Sequence, residues 1–137
     1  MSPVIEQAVQ ARVVASTPSL ETVPATLLYD RKDPFAVRMA FPPPATLEGT
    51  EVTWEFSREL LTTGVSEPAG EGDVRVRPFG YGRTVVEFRA PEGTAMVHLR
   101  TTELRRFLAR VQGLVPVGDE HLYLDLDHDL AELLRDA

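Results

Sequence analysis

The sequence predicts an α+β fold in a single domain spanning residues 1–137, with antiparallel sheets that are each followed by a helix. Apolar and polar residues alternate through seven segments, a pattern typical of half-buried antiparallel strands. Two further segments have helical spacing, and each follows a group of strands. The length of 137 residues suits one domain, and the absence of cysteine leaves burial of apolar surface, without disulfides, to stabilise it.

The first group contains four predicted strands, each with apolar residues at every second position. On the fourth strand this spacing puts Trp54 on the apolar face, so we expect it in the core. Three consecutive prolines, which cannot donate ladder hydrogen bonds, then mark residues 42–50 as a loop. The four segments are VQARVV (9–14), ATLLYD (25–30), AVRMAF (36–41) and EVTWEF (51–56).

The first predicted helix is short and has a signal at each end. In SRELLTTG (57–64), Ser57 is a favourable N-cap residue, and Gly64 is a favourable residue just past the last turn. Val65 follows the glycine and supplies the apolar contact that often closes such an end.

The second group contains three predicted strands and a longer helix. The strands are GDVRVRPF (72–79), RTVVEFRA (83–90) and TAMVHLR (94–100), and the helix TTELRRFLARVQG ends at Gly113. The arginines of these strands share the polar face, where they form either a groove for single-stranded nucleic acid or a solvated surface that faces carboxylates. The second interpretation is favoured, because the aromatic residues of the strands fall on the opposite face.

The acidic stretch YLDLDHDLAELLRDA (123–137) resembles a metal site only superficially. Asp125, Asp127 and Asp129 fit the first positions of a calcium-binding loop, but Leu130 stands where that loop needs glycine. The apolar spacing after it is helical, so these carboxylates are interpreted as the capped start of a final helix. No metal site, cofactor site or catalytic residue is predicted, and an enzyme is therefore not expected.

Charge and hydropathy argue against a nucleic-acid-binding protein, a secreted protein and a membrane-spanning protein. The net charge of −7 disfavours a nucleic-acid-binding protein, because such proteins usually carry an excess of basic residues. The N-terminus lacks the pattern of a signal peptide, and no apolar run is long enough to span a membrane. We therefore expect a cytoplasmic protein.

Two predicted loops are the candidate partner-binding segments. The first contains Asp33, Pro34 and Phe35, and the second contains Asp119, Glu120 and His121. Side chains between secondary-structure elements are free to contact a partner. Because the segment PVGDEHLY has no apolar stripe of its own, Asp119 and Glu120 are expected to gain little from core packing, and Glu120→Ala is expected to change folding little.

Four segments in this order resemble the SsgA-like sporulation and cell-division proteins of actinomycetes: YDRKDPFAVRMAF, VTWEFSRELLTTGV, GEGDVRVRP and LRRFLARVQGLVPVGDEHLYLDLDHDLAELL. The resemblance implies a cytoplasmic protein without enzymatic activity that acts at the division septum. It implies the tubulin-like division protein FtsZ as partner, recruited to septum sites during sporulation. It also implies a homotrimer with a fold similar to the Whirly-type proteins, which bind single-stranded nucleic acid. A nucleic-acid-binding module therefore remains the alternative hypothesis.

Overall fold

The structure is a computed structural model that describes residues 4–14, 21–42, 51–91 and 93–124. The predicted final helix, its acidic cluster and most of the proline-rich loop lie outside these residues. The elements are β1 (Val4–Val14), β2 (Glu21–Asp30), β3 (Ala36–Phe41), β4 (Val52–Ser57), α1 (Arg58–Gly64), β5 (Val74–Pro78), β6 (Arg83–Ala90), β7 (Gly93–Arg100) and α2 (Thr101–Leu114). A short 3₁₀ helix at Glu120–Tyr123 was not expected from the sequence.

The strands form one antiparallel sheet of seven strands in the order β4-β3-β2-β1-β7-β6-β5. The expectation of separate sheets for the two strand groups was therefore wrong. The reason is β1, which pairs with β2 from Val4 to Val13 and, among the described residues, with β7 from Arg12 to Val14. The β1–β7 pairing joins the two halves of the sheet.

The sheet curls so that its inner face packs partly against itself. The ring of Phe88 on β6 lies 4.8 Å from the ring of Trp54 and 5.9 Å from that of Phe41, measured between centroids. Four strands separate β4 from β6, so in a flat sheet these strands would lie about 24 Å apart. Trp54 faces this core as predicted, but it is only partly buried because β4 is an edge strand.

The two helices cover the rest of the inner face. Leu104, Phe107 and Val111 of α2 are fully buried in the core, as the helical spacing predicts. Polar contacts also bind this helix to β1, where the side-chain amide of Gln7 donates to the carbonyl oxygen of Glu103 at 2.9 Å. In α1, the Ser57 hydroxyl accepts a hydrogen bond from the backbone N–H of Leu60 at 2.9 Å, which confirms the predicted N-cap.

Gly64 and Gly113 are the last and second-last residues of their helices and do not follow them. The prediction that each glycine terminates its helix was therefore wrong. Gly64 is instead required by close packing, because a Cβ atom there would lie 2.3 Å from the Cβ of Val76 on β5. A Cβ atom at Gly113 would meet nothing within 4 Å.

These two glycines form a matched pair for a test of that packing. We expect Gly64→Ala to lower the free energy of unfolding by about 1–3 kcal/mol, because either α1 or β5 must shift. Gly113→Ala should raise it by about 0.5–1 kcal/mol, because alanine is the better helix former. Urea unfolding followed by circular dichroism measures both values, and equal effects of the two substitutions would contradict the close approach at Gly64.

Candidate functional site

The two loops predicted to bind a partner lie at the same end of the sheet, although about 85 residues separate them in the sequence. The first loop connects β2 to β3, and the second follows α2. Both contact Arg58, the first residue of α1. Its backbone N–H donates to the carbonyl oxygen of Phe35 at 2.8 Å, and its guanidinium Nη1 lies 3.6 Å from a carboxylate oxygen of Glu120.

The β2–β3 turn is fixed by hydrogen bonds at both ends. The Asp30 side chain accepts from the backbone N–H of Lys32 at 2.9 Å, and the Asp30 carbonyl accepts from the N–H of Asp33 at 2.9 Å. The hydroxyl of buried Tyr29 donates to the carbonyl oxygen of Pro34 at 2.9 Å. These hydrogen bonds therefore fix the backbone that carries Phe35, whose side chain is 50% exposed.

The second loop is organised by side chains acting on its backbone. Gly118 has a φ of 96°, a conformation that favours glycine, and its N–H donates to the Glu120 carboxylate at 2.6 Å. The side chain of Gln112 accepts from the N–H of Val117 at 3.0 Å. The 3₁₀ helix then begins with the N–H of Leu122 donating to the carbonyl of Asp119 at 2.9 Å.

Arg58 is the residue that joins the two loops. Only 5% of its surface is exposed, and its guanidinium group donates from Nη2 to Gln112 at 3.2 Å. The same group lies 5.7 Å from the ring centroid of Tyr29, within the range of a cation–π contact. Burial raises the pKa of the Tyr29 hydroxyl above its usual value, and the positive charge of Arg58 opposes that rise.

The six predicted residues therefore fall into two groups. Phe35 and His121 are exposed, and Asp33 and Asp119 are partly exposed. Pro34 is buried, and the side chain of Glu120 is only 15% exposed because it faces Arg58. The expectation that Glu120 gains little from packing was wrong, since its carboxylate is the buried partner of a buried cation.

Sequence reasoning missed the apolar side chains that surround these loops. Leu122 and Val117 are each 66% exposed, and with Phe35 and His121 they form what we call the loop surface. It also missed Arg58, although one signal was present. A cation in the first turn of a helix faces the positive end of the helix dipole, which disfavours it unless another contact compensates.

The loop surface combines a hydrogen-bonded backbone with exposed apolar side chains, and this combination is suited to binding another protein. Among residues 4–14, 21–42, 51–91 and 93–124, no group of three or more His, Asp or Glu side chains is arranged to hold a metal ion. In the same part of the chain, no helix has the length and apolar character needed to cross a membrane.

The structure predicts that Glu120→Ala lowers the free energy of unfolding by roughly 1–3 kcal/mol. This is the usual range when a buried polar group loses its partner, here the guanidinium group of Arg58. His121→Ala is the control, because it removes an exposed side chain from the same turn and should change stability by less than about 0.5 kcal/mol. Chemical unfolding of both variants checks this, and a stable Glu120→Ala protein would contradict it.

Comparison with known proteins identifies the family. Residues 23–120 match the family described as the Streptomyces sporulation and cell division protein SsgA. The sporulation-specific cell division protein SsgB of Streptomyces coelicolor is 39% identical over the full length of both chains. A sporulation-specific cell division protein of Frankia casuarinae is 43% identical, and the alignment covers 84% of this chain and 79% of that protein.

Two solved structures share the fold. One is an SsgA-like sporulation-specific cell division protein from Thermobifida fusca, with 34% identity, a TM-score of 0.82 and 96% of each chain covered. The other is SsgB, from work relating its mutations to longitudinal cell division during sporulation of Streptomyces coelicolor. It has 38% identity and a TM-score of 0.76, and the match covers 88% of this chain and 94% of that one. The chain therefore belongs to the SsgA-like family of sporulation and cell-division proteins, as its sequence pattern predicted, and SsgB proteins are among its relatives.

Proposed function

We propose that this protein is a regulator of cell division without enzymatic activity that recruits FtsZ to septum sites during sporulation. The family supports a role in cell division, since its members carry that description. The observation that carries the proposal is the loop surface, where Phe35 and Leu122 expose apolar side chains at 50% and 66%. The recruited protein docks on these two side chains, and the protein acts in the cytoplasm at the septum.

The loop surface is suited to recruitment because it is ordered before a partner arrives. The carbonyl oxygen of Phe35 is held by Arg58, and the turn that carries Leu122 is held through Glu120 by the same arginine. Binding to such a surface does not require ordering of the loops, which would oppose association. The partner gains from burying apolar area, which contributes about 25 cal/mol per Å² removed from water.

The proposal includes a homotrimer. In the described part of the chain, β4 is an edge strand with no neighbour on its outer side. The other edge, β5, is partly covered by Ala69, which exchanges two backbone hydrogen bonds with Val76 at 2.8 and 3.0 Å. Uncovered edge strands invite pairing with another chain, and oligomer formation is one way of covering them.

We expect the purified protein to have a mass near three times the 15.2 kDa of one chain. Light scattering coupled to gel filtration at micromolar concentration measures this mass. A monomer under these conditions would rule out the trimer, but it would leave the role of the loop surface open.

We expect Phe35→Ser and Leu122→Ser each to weaken binding to purified FtsZ at least tenfold while the fold remains intact. Each substitution removes an exposed apolar contact, so the melting temperature should change little. Arg106→Ser, at an exposed position of α2, is the control and should bind like the unchanged protein. Co-sedimentation with FtsZ filaments measures binding, and thermal melts confirm folding.

The same variants can be tested in a sporulating host with fluorescent FtsZ. The two loop-surface variants should leave FtsZ outside regularly spaced septum positions, and Arg106→Ser should not. If the folded loop-surface variants still bind FtsZ and place septa normally, this surface is not the recruitment site.

A further inference from the structure

Four arginines lie together on the outer face of the sheet, away from the loop surface. Arg12 on β1 pairs with His98 on β7, His98 pairs with Val85 on β6, and Val85 pairs with Arg77 on β5. These side chains therefore lie in one row across four strands. Arg100 and Arg83 are paired directly opposite each other in the next row. Two of these arginines, Arg77 and Arg100, were expected on this face from the sequence. We call Arg12, Arg77, Arg83 and Arg100 the arginine face.

In the described part of the chain, no carboxylate lies within 4 Å of these four guanidinium groups. Other arginines of the outer face differ, since Arg89 contacts Glu87 at 3.9 Å and Arg38 contacts Asp33 at 3.6 Å. Like charges directly opposite each other on neighbouring strands destabilise a sheet. A local excess of cations in a chain with net charge −7 is therefore a cost to folding that the described fold does not offset.

The arginine face is built on a fixed support. Val85, which stands in this row between His98 and Arg77, is completely buried although it lies on the outer face, so the neighbouring side chains cover it. The ring of Phe79 packs edge-on against His98, with 5.0 Å between centroids. The β5–β6 turn is held by the backbone N–H of Thr101, which donates to the carbonyl oxygen of Gly82 at 3.0 Å.

This turn presents an exposed aromatic residue beside the arginines. Tyr81 is fully exposed, and it stands between Gly80 and Gly82, whose φ angles of 63° and 75° favour glycine. The sequence interpretation, which placed the aromatic residues on the opposite face, missed Phe79 and Tyr81 because both lie at or beyond the end of a strand. Exposed tyrosines beside arginines are typical centres of protein interfaces.

We propose that the arginine face, with Phe79 and Tyr81, binds an extended, carboxylate-rich segment of a partner protein. Charge complementarity carries this assignment, because carboxylates supply the counter-charges that the four arginines lack. The spacing of the arginine rows also matches the side-chain repeat of an extended segment. The two arginine rows are two residues apart along β7, which is about 6.8 Å, and an extended segment repeats its side chains on one face at the same interval.

A protein segment fits the arginine face better than single-stranded nucleic acid does. Nucleic-acid grooves offer several free aromatic rings on which successive bases stack. Here Phe79 packs against His98 and is about half exposed at 49%, and Tyr81 is the fully exposed ring of this turn. The net charge of −7 also repels a polyanion at long range.

The environment of His98 agrees with the concentration of positive charge. Partial burial, together with Arg83, Arg77 and Arg12, lowers the pKa of His98 below its usual value. The imidazole is therefore neutral at pH 7, and the positive charge of this face comes from the arginines.

The test uses a fluorescein-labelled eight-residue peptide with glutamate at every second position, and the same peptide with glutamine instead. Fluorescence anisotropy at low salt should show binding of the glutamate peptide alone, and binding should weaken as salt rises. Arg83→Gln combined with Arg100→Gln should weaken it at least tenfold, and Tyr81→Ala should weaken it severalfold. Arg38→Gln is the control, because Arg38 is exposed on the outer face but already has carboxylate partners, and it should leave binding unchanged.

Absence of glutamate-peptide binding to the unchanged protein would overturn the proposal, and so would three further results once melts show that the variants are folded. One is an equal loss of binding in Arg38→Gln. The second is tighter binding of a ten-nucleotide thymidine strand that displaces the peptide, which would make the arginine face a nucleic-acid site. The third is a change of mass in the double variant, which would make this face a contact between copies of the chain. None of these measurements involves FtsZ, so their failure leaves the loop surface untouched.

Discussion

The fold depends on how the apolar inner face of the seven-stranded sheet is covered, since only α1 and α2 among the described elements are α-helices that can pack on it. Seven strands at about 4.8 Å spacing span roughly 29 Å, whereas α1, with seven residues, is only about 10 Å long. The two helices therefore cannot cover the face of a flat sheet. Curling lets the sheet cover itself, and the contact between Phe88 and Trp54 shows where the two halves meet. Because this contact is aromatic, it buries a large area between the two halves.

The buried arginine, Arg58, has a positional role. Desolvation of the Arg58 guanidinium group is costly, and a buried ion pair often contributes little net stability. What the arrangement provides is position, since one residue contacts two loops distant in sequence. Its backbone N–H binds Phe35, and its guanidinium group contacts Gln112 and Glu120. An apolar residue in its place could fill the volume and keep the backbone hydrogen bond, but it could not orient the side chains of Gln112 and Glu120. The order of the loop surface follows from that geometry.

The sequence predicted the strand faces and the helix cores well, because both depend on local spacing. Leu104, Phe107 and Val111 are buried as their spacing requires, and Ser57 caps α1 as its side chain allows. The single sheet was not predictable in this way, because nothing local to residues 12–14 indicates that they pair with residues 96–98. The prediction for Glu120 was wrong for the same reason, since its partner Arg58 lies more than sixty residues earlier in the chain. Spacing also cannot distinguish Gly64 from Gly113, because the difference between them is the distance to β5.

The β1–β7 pairing has a consequence for how the chain folds. Strands β5 to β7 and helix α2 are consecutive in sequence, as are β2 to β4, so each half forms through contacts that are local along the chain. The pairing that joins them brings together residues more than eighty positions apart, as in Arg12 with His98. Loop closure of this kind carries an entropy cost before any contact rewards it. Closure of the sheet is therefore expected to be slow relative to folding of each half. In the folded protein, α2 also links the halves, because the Glu103 carboxylate accepts a hydrogen bond from the backbone N–H of Gln10 on β1.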